Sequence, residues 1–345
     1  MRQLVENFLK QKTLNDDEFR LLLTQCDKET LNYINNKARE IAVENFGNKI
    51  FIRGLIEVSN YCKNNCYYCG IRSGNPKVER YRLDKETILE CCEQGYILGM
   101  RTFVLQGGED RRFDDDFIEE VVREIRDKFS DCAITLSLGE RSKEAYQRFY
   151  NVGANRYLLR HETFNKEHYH ILHPKSMSIE NRLDCLKILK DIGFQTGTGI
   201  MVGTPGQTTE HIIQDIRFIE RLKPEMIGMG PFLPHKDTPF ANEQSGKLEL
   251  TLLLLSIFRI MHPKALIPST TALATLDSKG REQGILSGAN VVMPNLSPQK
   301  DRKKYSLYND KAALGAESAE GLMILQKQLN AIGYEISLER GDFVK

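Results

Sequence analysis

Short apolar runs alternate along the middle of the chain with longer segments in which apolar residues recur every three or four positions. Runs of about four to eight apolar residues predict buried strands, and the longer periodic segments predict amphipathic helices. The candidate strands cover residues 51–58, 102–106, 133–138, 156–160, 195–202, 226–230, 266–268 and 290–293, with helical periods over 85–98, 115–128, 143–151, 179–192, 210–222 and 250–261. This alternation predicts an α/β fold, a (β/α)8 TIM-type barrel.

The segments on either side of the barrel extend it. Residues 1–48 have helical periodicity and carry no evident chemistry, which predicts an N-terminal helical extension before a barrel of residues 49–300. Residues 301–345 are charged and then helical over 321–332, which predicts a C-terminal cap within the same domain. Asp84 and Ser142 are expected helix N-caps, and Gly153 and Gly193 are expected helix stops.

Composition and charge narrow the class of protein. The 345 residues are 41% hydrophobic, and a net charge of +1 gives no general attraction to nucleic acid or to a membrane surface. No apolar run reaches the roughly 18 residues of a membrane-spanning helix, and no secretory signal is evident. We therefore expect a cytoplasmic enzyme that binds neither nucleic acid nor membrane. Five cysteines lie in periodic segments and are expected to pack as small apolar side chains: Cys26, Cys91, Cys92, Cys132 and Cys185.

The remaining three cysteines form a compact motif, Cys62-x3-Cys66-x2-Cys69, directly after the first predicted strand. Three thiolates can hold three irons of a [4Fe–4S] cluster and leave the fourth iron open. A structural zinc site needs four closed ligands, and no further His or Cys lies nearby; zinc or redox thiols are the alternatives. The spacing resembles that of the radical S-adenosylmethionine (SAM) enzymes. That resemblance implies that SAM chelates the open iron through its amino and carboxylate groups.

Polar residues and glycines follow the second and third strands, where the active site of a barrel is expected. Gln106 and Gly107 begin the segment Gln-Gly-Gly-Glu-Asp, whose glycines allow close approach of a ligand. A plain turn is the alternative, whereas radical SAM enzymes receive the SAM amino group at such a Gly-Gly-Glu segment. Thr135 and Ser137 share one parity of the third strand, so both hydroxyls are expected to face the barrel lumen.

Charged residues follow the fourth strand. Arg156 and Arg160 are four positions apart on this strand, so their side chains can point to the same side. If both point into the lumen, they require an anionic partner, because an unpaired buried charge is costly. Salt bridges at the rim are the alternative. Glu162 follows in a charged triplet that can bind a zwitterion. Arg182 on the next helix can clamp a carboxylate through two parallel hydrogen bonds. The fifth strand is rich in glycine around Met201, which predicts room for a flat ring such as the adenine of SAM.

Two long motifs make the resemblance more specific. Residues 156–163 read Arg-Tyr-Leu-Leu-Arg-His-Glu-Thr, and residues 230–239 read Gly-Pro-Phe-x-Pro-His-x-Asp-Thr-Pro. With the segments 106–110, 135–140, 269–272 and 289–295, they resemble the HydE family, the radical SAM maturases of [FeFe]-hydrogenase, over about residues 1–310. Two departures stand out. The family often has Ser at the place of Gly107, and no cysteine follows Cys185, which predicts a single cluster.

The resemblance implies a division of roles among the site residues. Cys62, Cys66 and Cys69 would bind the cluster. The residues implied to bind SAM are Tyr68 beside the adenine, Gln106, Gly107, Ser137, Glu162, Arg182 and Met201. A deep site for an anionic substrate is implied at Thr135, Arg156 and Met293, with Arg160, Thr270, Thr271 and Tyr308 as catalytic residues.

The same resemblance implies a reaction and partners. Reductive cleavage of SAM would generate a 5′-deoxyadenosyl radical that acts, at sulfur, on an iron-bound cysteine carrying CO and cyanide. The implied partners are this small organometallic or amino-acid-derived substrate, the other hydrogenase maturases, and a ferredoxin- or flavodoxin-type electron donor. Methylornithine synthase and biotin synthase share the barrel and are alternatives. A non-catalytic iron–sulfur scaffold or electron-transfer protein is the alternative of a different class.

Overall fold

Three helices precede the barrel. The computed structural model describes residues 1–312 and 314–344, and its first helices are α1 (Arg2–Gln11), α2 (Asp16–Gln25) and α3 (Lys28–Phe46). The apolar faces of α1 and α2 pack into one core with α9 (Thr209–Leu222) and α10 (Leu248–Met261). The predicted helical extension therefore lies against the outer helices of the barrel. No described helix is long and apolar enough to cross a membrane.

The strands form a ring of parallel neighbours. They are β1 (Lys49–Ile52), β2 (Gly54–Ser59), β3 (Thr102–Gly107), β4 (Ala133–Ser137), β5 (Arg156–Leu158), β6 (Gln195–Thr198), β7 (Met201–Val202), β8 (Met226–Ile227), β9 (Gly230–Pro231), β10 (Val291–Val292) and β11 (Glu335–Ser337). The main sheet runs β2-β3-β4-β5-β6-β8, and β10 pairs with β1. Single bridges from Met226 to Leu266 and from Pro268 to Val291 close the ring. The barrel prediction is confirmed.

The other helices are α4 (Lys85–Ile97), α5 (Asp115–Lys128), α6 (Lys143–Asn151), α7 (Lys166–Leu172), α8 (Ile179–Ile192), α11 (Thr271–Leu276), α12 (Gly280–Leu286), α13 (Gln299–Arg302) and α14 (Leu322–Ala331). The seven helices that the periodicity predicts between residues 85 and 332 are present within one or two residues of their predicted bounds, and four short helices, α7, α11, α12 and α13, were not predicted. Asp84 and Ser142 accept the expected capping hydrogen bonds, and Gly193 ends α8 in a left-handed conformation. Three predicted strands are interrupted: residues 51–58 at Arg53, residues 195–202 after Thr198, and residues 226–230 after Ile227.

The C-terminal residues close the barrel at the amino ends of its strands. Strand β11 pairs with β1, and the residues after it reach the fully buried guanidinium of Arg156. That group donates to the carbonyls of Arg340 and Gly341, both at 3.0 Å, and to Asp342 Oδ1 at 2.8 Å. The sequence assigned Arg156 to the substrate. The structure instead pairs it with the chain's own tail, at the end of β5 that lies opposite the cysteine loop.

A second C-terminal segment covers the other end of the barrel. Residues 303–312 run beside the cysteine loop, where the Leu307 carbonyl accepts from Gly70 N at 2.9 Å and the Lys304 carbonyl accepts from Asn60 Nδ2 at 2.8 Å. Lys311 extends from this segment to the buried carboxylate of Glu57. The C-terminal region therefore contributes to both ends of the lumen.

Candidate active site

The cysteine motif lies in a loop after β2 that neighbouring backbone holds on several sides. Lys63 N donates to the Glu109 carbonyl at 2.9 Å, and Tyr67 N donates to the Leu172 carbonyl at 2.9 Å. Within the loop, Cys69 N donates to the Cys66 carbonyl at 3.3 Å. These bonds anchor the loop to the end of β3 and to α7. The main chain around the thiols is thus fixed by the protein itself.

The three thiols share a desolvated environment. Burial raises the pKa of Cys62 and raises the pKa of Cys69 to about 12. Burial also raises the pKa of Cys66 well above its usual range, and charges on Cys69 and Cys62 add to this rise. Thiolates so close together require cations, and binding of iron supplies them. No described group of His, Cys, Asp and Glu closes around a single ion. A cluster places each thiolate on a different iron, so this set fits a [4Fe–4S] cluster.

Two glycines at the end of β3 set how closely the loop approaches the strand. A Cβ on Gly108 would lie 2.2 Å from the Tyr61 carbonyl oxygen and 2.7 Å from Cys62 Cβ. A Cβ on Gly107 would lie 3.3 Å from the Ser59 carbonyl oxygen, so its surroundings are less crowded. Gly108 is therefore the residue that lets the cysteine loop pack on the strand. The glycine that the sequence indicated as a site residue, Gly107, is the less crowded of the two.

Arg182 on α8 lies between two acidic residues that follow β3 and β4. Its Nε is 2.6 Å from Glu140 Oε1, its Nη2 is 3.8 Å from Glu109 Oε1, and its Nη1 donates to the Arg160 carbonyl at 3.0 Å. Burial alone would lower the pKa of Arg182, but the two carboxylates raise it on balance. The guanidinium therefore stays charged beside the cysteine loop, with one nitrogen less tightly paired than the others.

Glu162 and Arg160 form the ion pair that the sequence left open as an alternative. Arg160 Nη2 donates to Glu162 Oε2 at 2.9 Å and to the Ile200 carbonyl at 2.8 Å, whereas its buried Nε has no partner among the described residues. The Glu162 carbonyl accepts from Met201 N at 3.4 Å, which joins β7 to this turn. The charge of Glu162 raises the pKa of both Tyr68 and Cys69, although burial is the larger cause. The negative charge of Glu162 therefore acts on the cysteine loop.

Tyr68, in the cysteine motif, bonds to a histidine that the sequence analysis missed. Its hydroxyl lies 3.2 Å from His173 Nε2, and His173 Nδ1 lies 3.0 Å from the Tyr169 carbonyl oxygen. The ring of Tyr169 stacks on His173 at 4.0 Å between centroids. This chain of contacts fixes the orientation of Tyr68. The signal that could have identified His173 is its position directly after the short helix α7, four residues from the buried Tyr169.

Gln106 and Ser137 occupy neighbouring positions at the end of the sheet. They are register partners on β3 and β4, and Gln106 is also paired with Glu57 on β2. Burial raises the pKa of Tyr305, from the segment over the lumen, well above its usual range, and the Gln106 side chain partly opposes that rise. The structure therefore brings together the cysteine loop and most of the residues assigned to SAM along adjoining strand ends.

The lumen contains a buried cation that was not predicted. Arg53, between β1 and β2, is almost fully buried, and its Nη1 reaches Met226 Sδ at 3.2 Å on a strand that is not its neighbour. Its Nε and Nη2 have no partner among the described residues. Burial, reinforced by the charge of Arg156, lowers the pKa of Arg53 well below its usual range. Arg53 and Glu57 share one parity of an apolar strand, which is a sequence signal for lumen residues.

The predicted substrate residues have different environments. The hydroxyls of Thr135 and Thr270 are buried and unpaired among the described residues. Thr271 instead donates to Glu317 Oε2 at 2.8 Å, so its hydroxyl is already used within the protein. Tyr308 lies in the segment over the lumen, and burial raises its pKa. Met293 packs against the apolar cluster that contains Met226.

Several known proteins are similar to this chain in sequence and in architecture. A family model described as the radical SAM superfamily matches residues 56–219. The chain is 43% identical to the [FeFe] hydrogenase maturase subunit HydE of Thermotoga maritima, over 86% of this chain and 84% of that protein. It is 30% identical to 3-methylornithine synthase of Methanosarcina acetivorans, over 84% and 81% of the two chains. A crystal structure of methylornithine synthase (PylB) superposes with a TM-score of 0.83 and 26% identity over 97% of both chains.

Proposed function

Because the chain belongs to the radical SAM superfamily and, within it, to the HydE family, we propose that it is a maturase of [FeFe]-hydrogenase. When bound and reduced, the [4Fe–4S] cluster and SAM supply a 5′-deoxyadenosyl radical. Cys62, Cys66 and Cys69 hold the cluster in this proposal. Glu162 and Arg182 orient SAM from the two sides of the loop. The protein's own contribution is to position these groups and to exclude water.

The observation that carries the proposal is the unpaired guanidinium of Arg53 in the lumen. A buried cation without an ion-pair partner is costly, and two nitrogens of Arg53 find no acceptor among the described residues. The hydroxyls of Thr135 and Thr270 are also buried, with no hydrogen-bond partner in the described part of the chain. These groups favour a substrate that brings negative charge and several hydrogen-bond acceptors. An iron-bound cysteine that carries CO and cyanide has this chemistry.

A methylornithine synthase function is a weaker candidate. An ornithine-type molecule carries ammonium groups, and these would lie unfavourably beside the cation of Arg53. The buried carboxylate of Glu57, which could receive an ammonium, is already bound by Lys311 and Asn295. The higher identity to the HydE relative also favours the maturase function.

The proposed partners follow from the reaction. Other maturases would deliver the substrate and accept the product, and a ferredoxin- or flavodoxin-type protein would reduce the cluster. The substrate is proposed to react at sulfur. We place the protein in the cytoplasm because none of its eight cysteines, all of which the structure describes, lies in a disulfide.

The decisive experiment combines anaerobic reconstitution with a maturation assay in which this protein is the only source of the activity. Thr270→Val keeps the side-chain volume but removes the unpaired hydroxyl. This variant should cleave SAM without substrate and yet support at least about tenfold less hydrogenase activity, because its lumen lacks a donor.

Thr271→Val is the matched control. It removes a hydroxyl that is bonded to Glu317, so a smaller loss of maturation is expected. Full maturation by the Thr270 variant would return that residue to a packing role. Absence of any maturation by the wild-type protein, despite SAM cleavage, would reject the maturase function.

A further inference from the structure

Glu162 has an unusual backbone conformation. Its φ is +65°, in the left-handed region that a residue with a Cβ rarely adopts. The other non-glycine residues with positive φ in the described part of the chain are Lys12, Lys223 and Asp310, and all three are exposed. Glu162 is only 9% exposed. A strained and buried residue persists only where its surroundings enforce its conformation.

The residue before Glu162 is held by two side chains. His161 is fully buried, and its Nδ1 lies 2.8 Å from Thr198 Oγ1. Thr198 donates its own hydroxyl hydrogen to the Leu159 carbonyl at 3.1 Å, so its oxygen accepts from His161 Nδ1. On the other side of the ring, His161 Nε2 lies 3.3 Å from Asp215 Oδ1 on α9. The imidazole therefore joins β6 to an outer helix.

Asp215 also holds the chain after Glu162. The same Oδ1 accepts from Phe164 N at 2.6 Å, and Asp215 is itself fully buried. Thr163 adds a further restraint, since its hydroxyl lies 2.9 Å from His168 Nδ1. The short turn from residue 161 to residue 164 is thus fixed at both ends, with Glu162 between the fixed points.

We propose that His161, held between Thr198 and Asp215, is a positioning residue that keeps Glu162 in its left-handed conformation and thereby presents its carboxylate to SAM. This inference rests on the proposed assignment of Glu162 to SAM. His161 itself touches neither SAM nor substrate. It acts through the backbone of its neighbour, in a region between the barrel and α9 that no step of the reaction uses.

A double-mutant cycle tests this role. His161→Phe keeps an aromatic ring beside Phe218 but removes the hydrogen bond to Thr198 and the polar contact with Asp215, and Glu162→Gln removes the carboxylate charge. In the reconstituted protein, His161→Phe should weaken SAM binding about tenfold, as measured by the Kd. In the Glu162→Gln background the same change should alter the Kd less than about twofold, because the group that it positions is already impaired.

A second cycle needs neither cluster nor SAM. Glycine adopts positive φ without strain, so Glu162→Gly removes the need for the restraint. In the cluster-free protein, His161→Phe should lower the melting temperature, and this loss should fall to roughly half in the Glu162→Gly background. His161→Gln, which retains polar groups that can reach Thr198 or Asp215, should retain more SAM affinity than His161→Phe. His262→Phe, at a partly buried histidine beyond α10, should lower stability without changing the Kd for SAM.

The outcomes separate the two hypotheses. If Glu162→Gln leaves the Kd for SAM unchanged, the assignment of Glu162 fails, while the stability cycle still tests the contact between the two residues. If the effects of the two substitutions simply add in both cycles, His161 is an ordinary core residue and the proposed positioning role is wrong. A wild-type Kd in the folded His161→Phe variant would overturn it as well.

Discussion

Gly108→Ala is expected to disrupt the cluster site through a single methyl group. The added Cβ would lie 2.7 Å from Cys62 Cβ, whereas carbon atoms in favourable contact are about 3.5–4.0 Å apart. The loop must therefore move by nearly 1 Å, because the Tyr61 carbonyl, at 2.2 Å, is also in the way. Metal sites tolerate displacements of only about 0.2 Å in their ligand distances. Overpacking itself should cost about 1–3 kcal/mol of stability.

Iron content and spectroscopy measure this effect. After anaerobic reconstitution, Gly108→Ala should bind substantially less iron than the wild type, and the EPR signal of its reduced cluster should respond weakly to SAM. Gly107→Ala is the matched control, since its Cβ would meet its nearest neighbour at 3.3 Å and displace it by only a few tenths of an ångström. Wild-type iron content and SAM response in a folded Gly108→Ala protein would refute this account of how the loop is seated.

Three further predictions concern other parts of the molecule. The reconstituted wild type should hold about four irons per chain and Cys66→Ala none; eight irons that survive this change would contradict a single cluster. Asp342→Ala should cost about 1–3 kcal/mol in urea unfolding because it leaves the buried Arg156 cation without its carboxylate, whereas Asp342→Asn should cost less; equal stability of both variants with the wild type would exclude a role for the pair. Burial lowers the pKa of His173 from 6.5 to about 3, so the unfolded chain binds a proton first as the pH falls. Stability should thus decrease by up to about 1.4 kcal/mol per pH unit between about pH 6.5 and 3, and a His173→Gln variant with an unchanged slope would refute the assignment.

The sequence by itself determined the barrel and the nature of its chemistry. Apolar periodicity depends on which side of a strand or helix is buried. Because that property is local, the bounds of the predicted helices agree with the structure to within one or two residues. The cysteine motif is local as well. Its three residues lie within eight positions, and their short spacing alone places three thiols in one loop.

The partners of the charged and hydroxylic residues were decided only by the tertiary structure. Strand parity indicates that Arg156 points inward, but it does not reveal that Asp342, 186 positions away, comes back to bind it. Thr270 and Thr271 are adjacent in sequence, yet of these two hydroxyls only that of Thr271 finds an acceptor among the residues that the structure describes. Hydrogen bonds depend on distances of a few tenths of an ångström between residues that are remote along the chain. Periodicity cannot supply such distances, because they arise only when the ring of strands closes and the C-terminal residues fold back over its two ends.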